Sequence, residues 1–270
     1  MLPNTEQDSL YPNLSKLDTF EILNAINSED KKVALAVENE LQSIFNLCNA
    51  TYKKMSEGGR LFYIGAGTSG RLGVVDASEC PPTYGVDFGL VIGIMAGGDS
   101  AIRKAVEFAE DDTQQAIKDL DTYQVNVKDT VVGISASGRT PYVFGGLEAC
   151  QKRGIQTGSV TCSRNSIISS VSDFPVEIIV GPEVITGSTR MKSGTAQKMV
   201  LNMLTSTVMI KLKKVDGSKM VNMQLSNDKL IDRGTRMIVE QTGLSYEESK
   251  AVLLENGSVK KALEKINNSK

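Results

Sequence analysis

The sequence predicts an α/β fold: a doubly wound, mostly parallel five-stranded sheet with N- and C-terminal helical segments. Three observations predict it. Five short apolar runs follow one another from Arg60 onward, helical patterns lie between them, and two Gly/Ser-rich loops stand where an apolar run passes into a helix.

Taken in order, Ser28 is placed to cap a helix running through Val33, Val37, Leu41, Ile44 and Cys48, an amphipathic apolar spacing. The buried strands are expected at Leu61 to Ile64, Leu90 to Met95, Thr130 to Ile134, Gln156 to Thr161 and Val176 to Val180. Helices are expected over Ala101 to Leu120 and over Pro141 to Arg153, the latter with Pro141 at its first position and Gly154 just past its end. Thr189 to about Leu212 reads as a long helix with Leu201, Leu204, Val208 and Leu212 along one side. The last stretch has no strand signal. Ser245-Tyr-Glu-Glu248 is a capping box, and Gly257-Ser258 separates that helix from another ending near Ile266. The expected division is 1–55 helical, 56–218 sheet domain and 219–270 a small helical unit.

Composition narrows the chemistry. With 270 residues, 40% of them apolar, the chain can fill a sizeable core. Thirty basic residues against 32 acidic ones give a net charge of -2, which suggests neither a nucleic-acid partner nor an anionic membrane. No run of 18 apolar residues and no signal-peptide pattern at Met1 to Asp8 is present, so a soluble cytoplasmic protein is expected. Cys48, Cys80, Cys150 and Cys162 are widely spaced, unlike a zinc site or a secreted disulfide framework. Zero histidines removes Ser-His and Cys-His nucleophile pairs and the commonest metal ligand, so no metal is expected, and acid–base work falls to carboxylates, Lys, Tyr or Cys.

The first loop, Gly65-Ala-Gly-Thr-Ser-Gly70, fits the dinucleotide fingerprint formally. The second strand, however, runs into Met95-Ala-Gly-Gly98 without the acidic residue that would hold a ribose, and no Walker lysine follows. The second loop, Ser135-Ala-Ser-Gly-Arg-Thr140, repeats Ser69-Gly-Arg71 as Ser137-Gly-Arg139. Gly and Ser also make plain turns and caps. Two such loops at strand ends, opening helices whose N-termini carry free N–H groups, suit the terminal oxygens of a phosphate monoester. Thr68, Ser69, Ser135, Ser137 and Thr140 are the candidate phosphate ligands.

Tyr63-Ile-Gly-Ala-Gly-Thr-Ser-Gly-Arg71, Asp76-Ala-Ser-Glu-Cys-Pro-Pro-Thr83 and Gly181-Pro-Glu-Val-Ile-Thr-Gly-Ser-Thr-Arg-Met-Lys192 together resemble the N-acetylmuramic acid 6-phosphate etherase family of the sugar isomerase (SIS) fold. The likeness extends from Leu17 to about Met223, through Ile26-Asn-Ser-Glu-Asp30 and Ser193-Gly-Thr-Ala-Gln-Lys198. It implies cofactor-free elimination of D-lactate from C3 of a phosphosugar followed by water addition, in a homodimer with sites near the subunit interface. It also implies two glutamates: Glu79 to protonate the leaving ether oxygen and Glu110 to take the proton at C2. The charge-poor Cys80-Pro81-Pro82 beside Glu79 suits an acid, whereas Glu110, in a run with Glu107, Asp111 and Asp112, could equally mark a solvated helix face.

Glu183, Ser188, Thr189, Arg190 and Lys192 are expected to touch the sugar or lactyl group. Arg190 and Lys192 are natural partners for the lactyl carboxylate, or else members of an inter-helix or subunit ion pair. The rival readings are a noncatalytic sugar-phosphate regulator, an aldose-ketose isomerase and a dehydrogenase. Residues 233 to 266 loosely resemble a ubiquitin-associated-like three-helix module.

Overall fold

The computed structural model describes residues 4–106 and 108–268, which form two compact units. Glu107 lies outside the described residues. The first unit takes in the described residues of Met1–Ala77 and Gly89–Val208; the second takes in Ser78–Phe88 and those of Met209–Lys270.

The first unit starts with two 3-10 turns, Asn4–Glu6 and Leu14–Lys16, then α1 (Thr19–Glu38) and α2 (Leu41–Ser56). Next come β1 (Leu61–Gly65), the start of α3 (Gly67–Tyr84), β2 (Val91–Met95), α4 (Ser100–Arg103), α5 (Gln115–Thr122) and β3 (Thr130–Ser135). They lead to α6 (Pro141–Lys152), β4 (Gln156–Thr161), β5 (Phe174–Glu177) and the greater part of α7 (Lys192–Lys211).

The five strands pair in the order β2-β1-β3-β4-β5, all parallel, with Leu61 opposite both Val91 and Thr130. The chain leaves β1 to one side for β2 and to the other for β3. The switch point therefore falls between the carboxyl ends of β1 and β3, where ligands of open α/β sheets bind.

Side-chain alternation sends Phe62, Ile64 and Val131 to one face, where they pack with Tyr142, Val143 and Leu147 of α6 and Ala116 and Leu120 of α5. Tyr63 points to the other, against Gly73 of α3, and Leu47 of α2 lies over Gly158 of β4. Helices thus cover both faces, as a buried parallel sheet requires.

Four expectations need correction. The N-terminal helix starts at Thr19, not Ser28: Asp18 accepts from Glu21 N and Glu21 returns the bond in a capping box. It also ends at Glu38, before α2. The helix expected over Ala101 to Leu120 breaks after Arg103, because Lys104 is extended and Phe108 is left-handed (φ 59°), and resumes at Gln115. The β5 ladder closes at Glu177, although Ile178 and Val180 remain buried. The long helix begins at Lys192 rather than Thr189.

The second unit comprises the end of α3, the end of α7, and α8 (Asp228–Thr242), α9 (Tyr246–Asn256) and α10 (Val259–Asn268). Val221, Ile238, Leu253, Val259 and Ala262 make its own small core. Ser245 and Glu248 form the capping box, and left-handed Gly257 ends α9. No helix of the described residues is long and apolar enough to cross a membrane, and no cluster of three or more His, Cys, Asp or Glu among them could hold a metal.

Candidate active site

At the switch point a polar cavity of about 330 Å³ is lined by Thr68 and Ser69 from the first loop, Ser135, Ser137, Arg139 and Thr140 from the second, and Glu110, Thr189 and Glu6. The structure therefore gathers all five candidate phosphate ligands, one of the two predicted glutamates, and Thr189.

The first loop can turn so tightly because position 70 has no side chain: a Cβ there would sit 2.7 Å from both Gly65 O and Met95 Cβ. Ser135 Oγ lies 2.8 Å from Thr140 Oγ1 and accepts from Gly138 N at 3.1 Å, so the second loop is folded on its own hydroxyls. Thr140 then precedes Pro141, which opens α6. The result is a cradle of hydroxyls and helix N-termini, suited to an anion with several acceptor oxygens.

Glu110 is exposed, but its backbone is held. Its carbonyl accepts from Tyr142 N at 2.9 Å, and the phenol of the same buried Tyr142 donates to Asp119 of α5 at 2.7 Å. Three residues on, Thr113 lies so close to α6 that a Cβ at Gly145 would reach within 1.9 Å of its carbonyl oxygen. The break in the expected helix is what brings Glu110 to the cleft wall. A second cavity of about 230 Å³, lined by Met95, Val106 and Phe108 among others, shares Ala66, Gly67 and Glu110 with the first.

Other acid–base candidates recede. All four cysteines are buried and outside any disulfide, and burial pushes the Cys150 and Cys162 thiols up to about 12. Burial also raises the phenol of Tyr142 above its ordinary value, as does its hydrogen bond to Asp119.

Glu183 and Lys192 do not line the cleft. Glu183 is fully buried and accepts from Lys192 N, Ser193 N and Ser193 Oγ at 2.9, 2.9 and 2.8 Å, so its charge already occupies the N-terminus of α7. The Lys192 ammonium, 1% exposed, donates to Glu29 Oε2 of α1 at 2.6 Å. Of the readings open for Lys192, the ion pair between helices is the one observed. Ser188 and Arg190 are absent from the cleft lining; Arg190 is exposed. Glu79 belongs to the second unit, exposed on α3.

Nothing in the sequence marks Glu6, which precedes every periodic pattern. Its segment is tied down by long-range bonds: Ser9 N donates to Thr186 Oγ1 at 2.9 Å and Ser9 Oγ to Val184 O at 2.6 Å.

The sheet order and the hydroxyl cradle fit a SIS-domain protein, and the domain models make the assignment. Residues 108–207 match the SIS domain model, and residues 43–151 match the glucokinase regulatory protein N-terminal SIS domain model. The fold is shared with a phosphoheptose isomerase from Francisella tularensis, at a TM-score of 0.53 and 14% identity over 71% of this chain and 98% of that one. An N-acetylmuramic acid 6-phosphate etherase of Christiangramia forsetii is 55% identical over 99% of this chain and 98% of its own length. Another, of Bacteroides fragilis, is 56% identical over 96% and 92%. The chain belongs to the N-acetylmuramic acid 6-phosphate etherase family.

Proposed function

We propose that this chain converts N-acetylmuramic acid 6-phosphate and water to N-acetylglucosamine 6-phosphate and D-lactate, in the catabolism of cell-wall amino sugar. The observation that carries the reading is the sharing of one cleft by the hydroxyl cradle and Glu110, in a chain 55% identical to a named etherase.

In the open-chain sugar, C2–H lies beside an aldehyde and can be abstracted, whereas the lactyl oxygen on C3 leaves well only if protonated as its bond breaks. Glu110 is assigned the C2 proton. Glu79 is assigned the proton given to the leaving oxygen, on the strength of its place in Ala77-Ser-Glu-Cys-Pro-Pro82. Loss of lactate leaves an α,β-unsaturated aldehyde. Water then adds at C3 with the two roles reversed: Glu79 takes a proton from water and Glu110 returns one to C2. A glutamate near its ordinary pKa is only about one part in 500 protonated at pH 7. An acid role therefore calls for surroundings drier than Glu79 has in the single chain, which bound substrate or a second copy would supply.

The cradle anchors the phosphate and so holds C2 near Glu110, an orientation worth several powers of ten in rate when well made. No residue in this scheme calls for a cofactor. We further propose a cytoplasmic homodimer. Phe20, Leu23 and Leu35 of α1 and Leu41 and Phe45 of α2 are exposed apolar side chains available to a second copy, and light scattering reads the mass directly.

Release of D-lactate from N-acetylmuramic acid 6-phosphate by the purified chain tests the reading. Tight phosphosugar binding without lactate would overturn it in favour of a regulator, and aldose–ketose interconversion without lactate in favour of an isomerase.

A further inference from the structure

Gln197 of α7 is fully buried behind the first loop. Its Oε1 accepts from Ser69 Oγ at 2.9 Å, while its Nε2 is buried with no hydrogen-bond partner among the described residues. A buried donor left unpaired is costly and calls for an explanation.

Proton counting at Ser69 supplies one. A serine hydroxyl has a single proton, and here it points inward to Gln197. Ser69 also lines the polar cavity, where a phosphate offers mainly acceptor oxygens. To bind that phosphate, Ser69 must turn its proton outward. Its oxygen would then face Oε1 of Gln197 lone pair to lone pair.

A terminal amide torsion is soft and roughly two-fold, so the Gln197 amide fits its slot either way round. Because Nε2 has no partner to lose, inverting the amide sacrifices nothing on that side. Inverted, Nε2 donates to Ser69 Oγ, and the Ser69 hydroxyl donates to phosphate in a chain in which each bond strengthens the next.

We propose that Gln197 is a positioning residue for phosphate binding, a two-way amide that inverts to release the Ser69 proton to the ligand. The proposal rests on the reading of the hydroxyl cradle as a phosphate site. Gln197 touches no reacting atom; it acts through Ser69.

The test is a double-mutant cycle on the full chain, read by calorimetric titration with inorganic phosphate and by KM for the phosphosugar. Gln197→Met keeps the side-chain volume and removes both donor and acceptor. It leaves the Ser69 proton free but removes the Nε2 donor that fixes the hydroxyl toward the ligand, and is expected to weaken phosphate binding and raise KM about fivefold, the worth of one hydrogen bond between neutral groups. Ser69→Ala, which removes the bond to the anion itself, should weaken binding at least about tenfold, and the double variant should be no worse than Ser69→Ala alone. The melting temperature of Gln197→Met should not fall, since the amide it removes has an unpaired donor. Gln197→Glu, which only accepts when ionised, should bind more weakly still. Wild-type affinity in Gln197→Met, or losses that multiply with Ser69→Ala, would overturn the proposal. Failure of the wild-type chain to bind phosphate at all would instead overturn the cradle reading beneath it.

Discussion

Breaking the Glu29–Lys192 pair should destabilise the protein before it alters substrate handling. Both side chains are nearly inaccessible, 3% and 1% exposed, with Nζ 2.6 Å from Oε2. Removing one member leaves the other as a buried charge, which costs about 3 to 5 kcal/mol in comparable settings. The two single variants are not equivalent. In Lys192→Met, Glu29 keeps Lys32 Nζ at 2.6 Å and the Tyr11 hydroxyl at 3.2 Å, so its charge stays partly compensated. The loss should lie near about 3 kcal/mol. In Glu29→Gln the ammonium loses the one carboxylate within ion-pair distance among the described residues, and the loss should approach about 5 kcal/mol. In a chain of this length each kcal/mol lowers Tm by about 2 to 4 °C, so falls of roughly 6 to 12 °C and 10 to 20 °C are expected. The double variant leaves no orphan charge and should be less destabilised than Glu29→Gln alone, a recovery of about 3 kcal/mol or more relative to the sum of the singles. Thermal melts at pH 7, with KM measured in parallel below the transition, decide it. A Lys192→Met protein that melts like wild type but has a raised KM would refute the strut and return Lys192 to the substrate.

The same pair sets an acid limit. Burial alone would push the Glu29 carboxyl up, but the hydrogen bonds and charges of Lys192 and Lys32 outweigh it and hold it at about 2, against an ordinary 4.5. The folded value is the lower one, so this stabilisation is complete above pH 4.5 and is lost as pH falls from there toward 2. Wild-type Tm should therefore fall more steeply across that window than Tm of the Glu29→Gln/Lys192→Met protein, and parallel curves would contradict it. Gly145→Ala should force Thr113, and with it Glu110, off α6. A displacement near 1 Å is expected to cost about 100-fold in kcat while inorganic phosphate still binds, and unchanged kcat would show that Glu110 is not held this way.

Much of this was legible in the residues. The first three strands follow their apolar runs closely, because a strand covered on both faces reads as an unbroken run, whereas the fourth, Gln156–Thr161, is buried from Thr157 on with Val160 as its one large apolar side chain. The apolar run at Val176 to Val180 reports burial, which continues to Val180, rather than pairing, which stops with the ladder at Glu177.

The first half of α1 was hidden by Glu29. Ala25, Glu29, Val33 and Val37 all lie on its buried face, and a charge there interrupts the apolar pattern until its partner Lys192, 163 residues away, is seen. Contacts of that range leave no periodic trace. The hydroxyl cradle was readable because a loop's chemistry is local, whereas the buried roles of Glu183, Lys192 and Gln197, and the entry of Glu6 into the cleft, depend on tertiary packing alone.

We assign the proton at C2 to Glu110 and the oxygen at C3 to Glu79. The most direct test is turnover of N-acetylmuramic acid 6-phosphate in heavy water, with D-lactate assayed, deuterium at C2 of the sugar product read by NMR, and Glu79→Gln and Glu110→Gln run alongside. Lactate and C2 deuterium are expected from the wild type. Neither is expected from Glu110→Gln, and no lactate from Glu79→Gln. Lactate released at the wild-type rate by Glu110→Gln, or a wild-type product without deuterium at C2, would contradict this assignment.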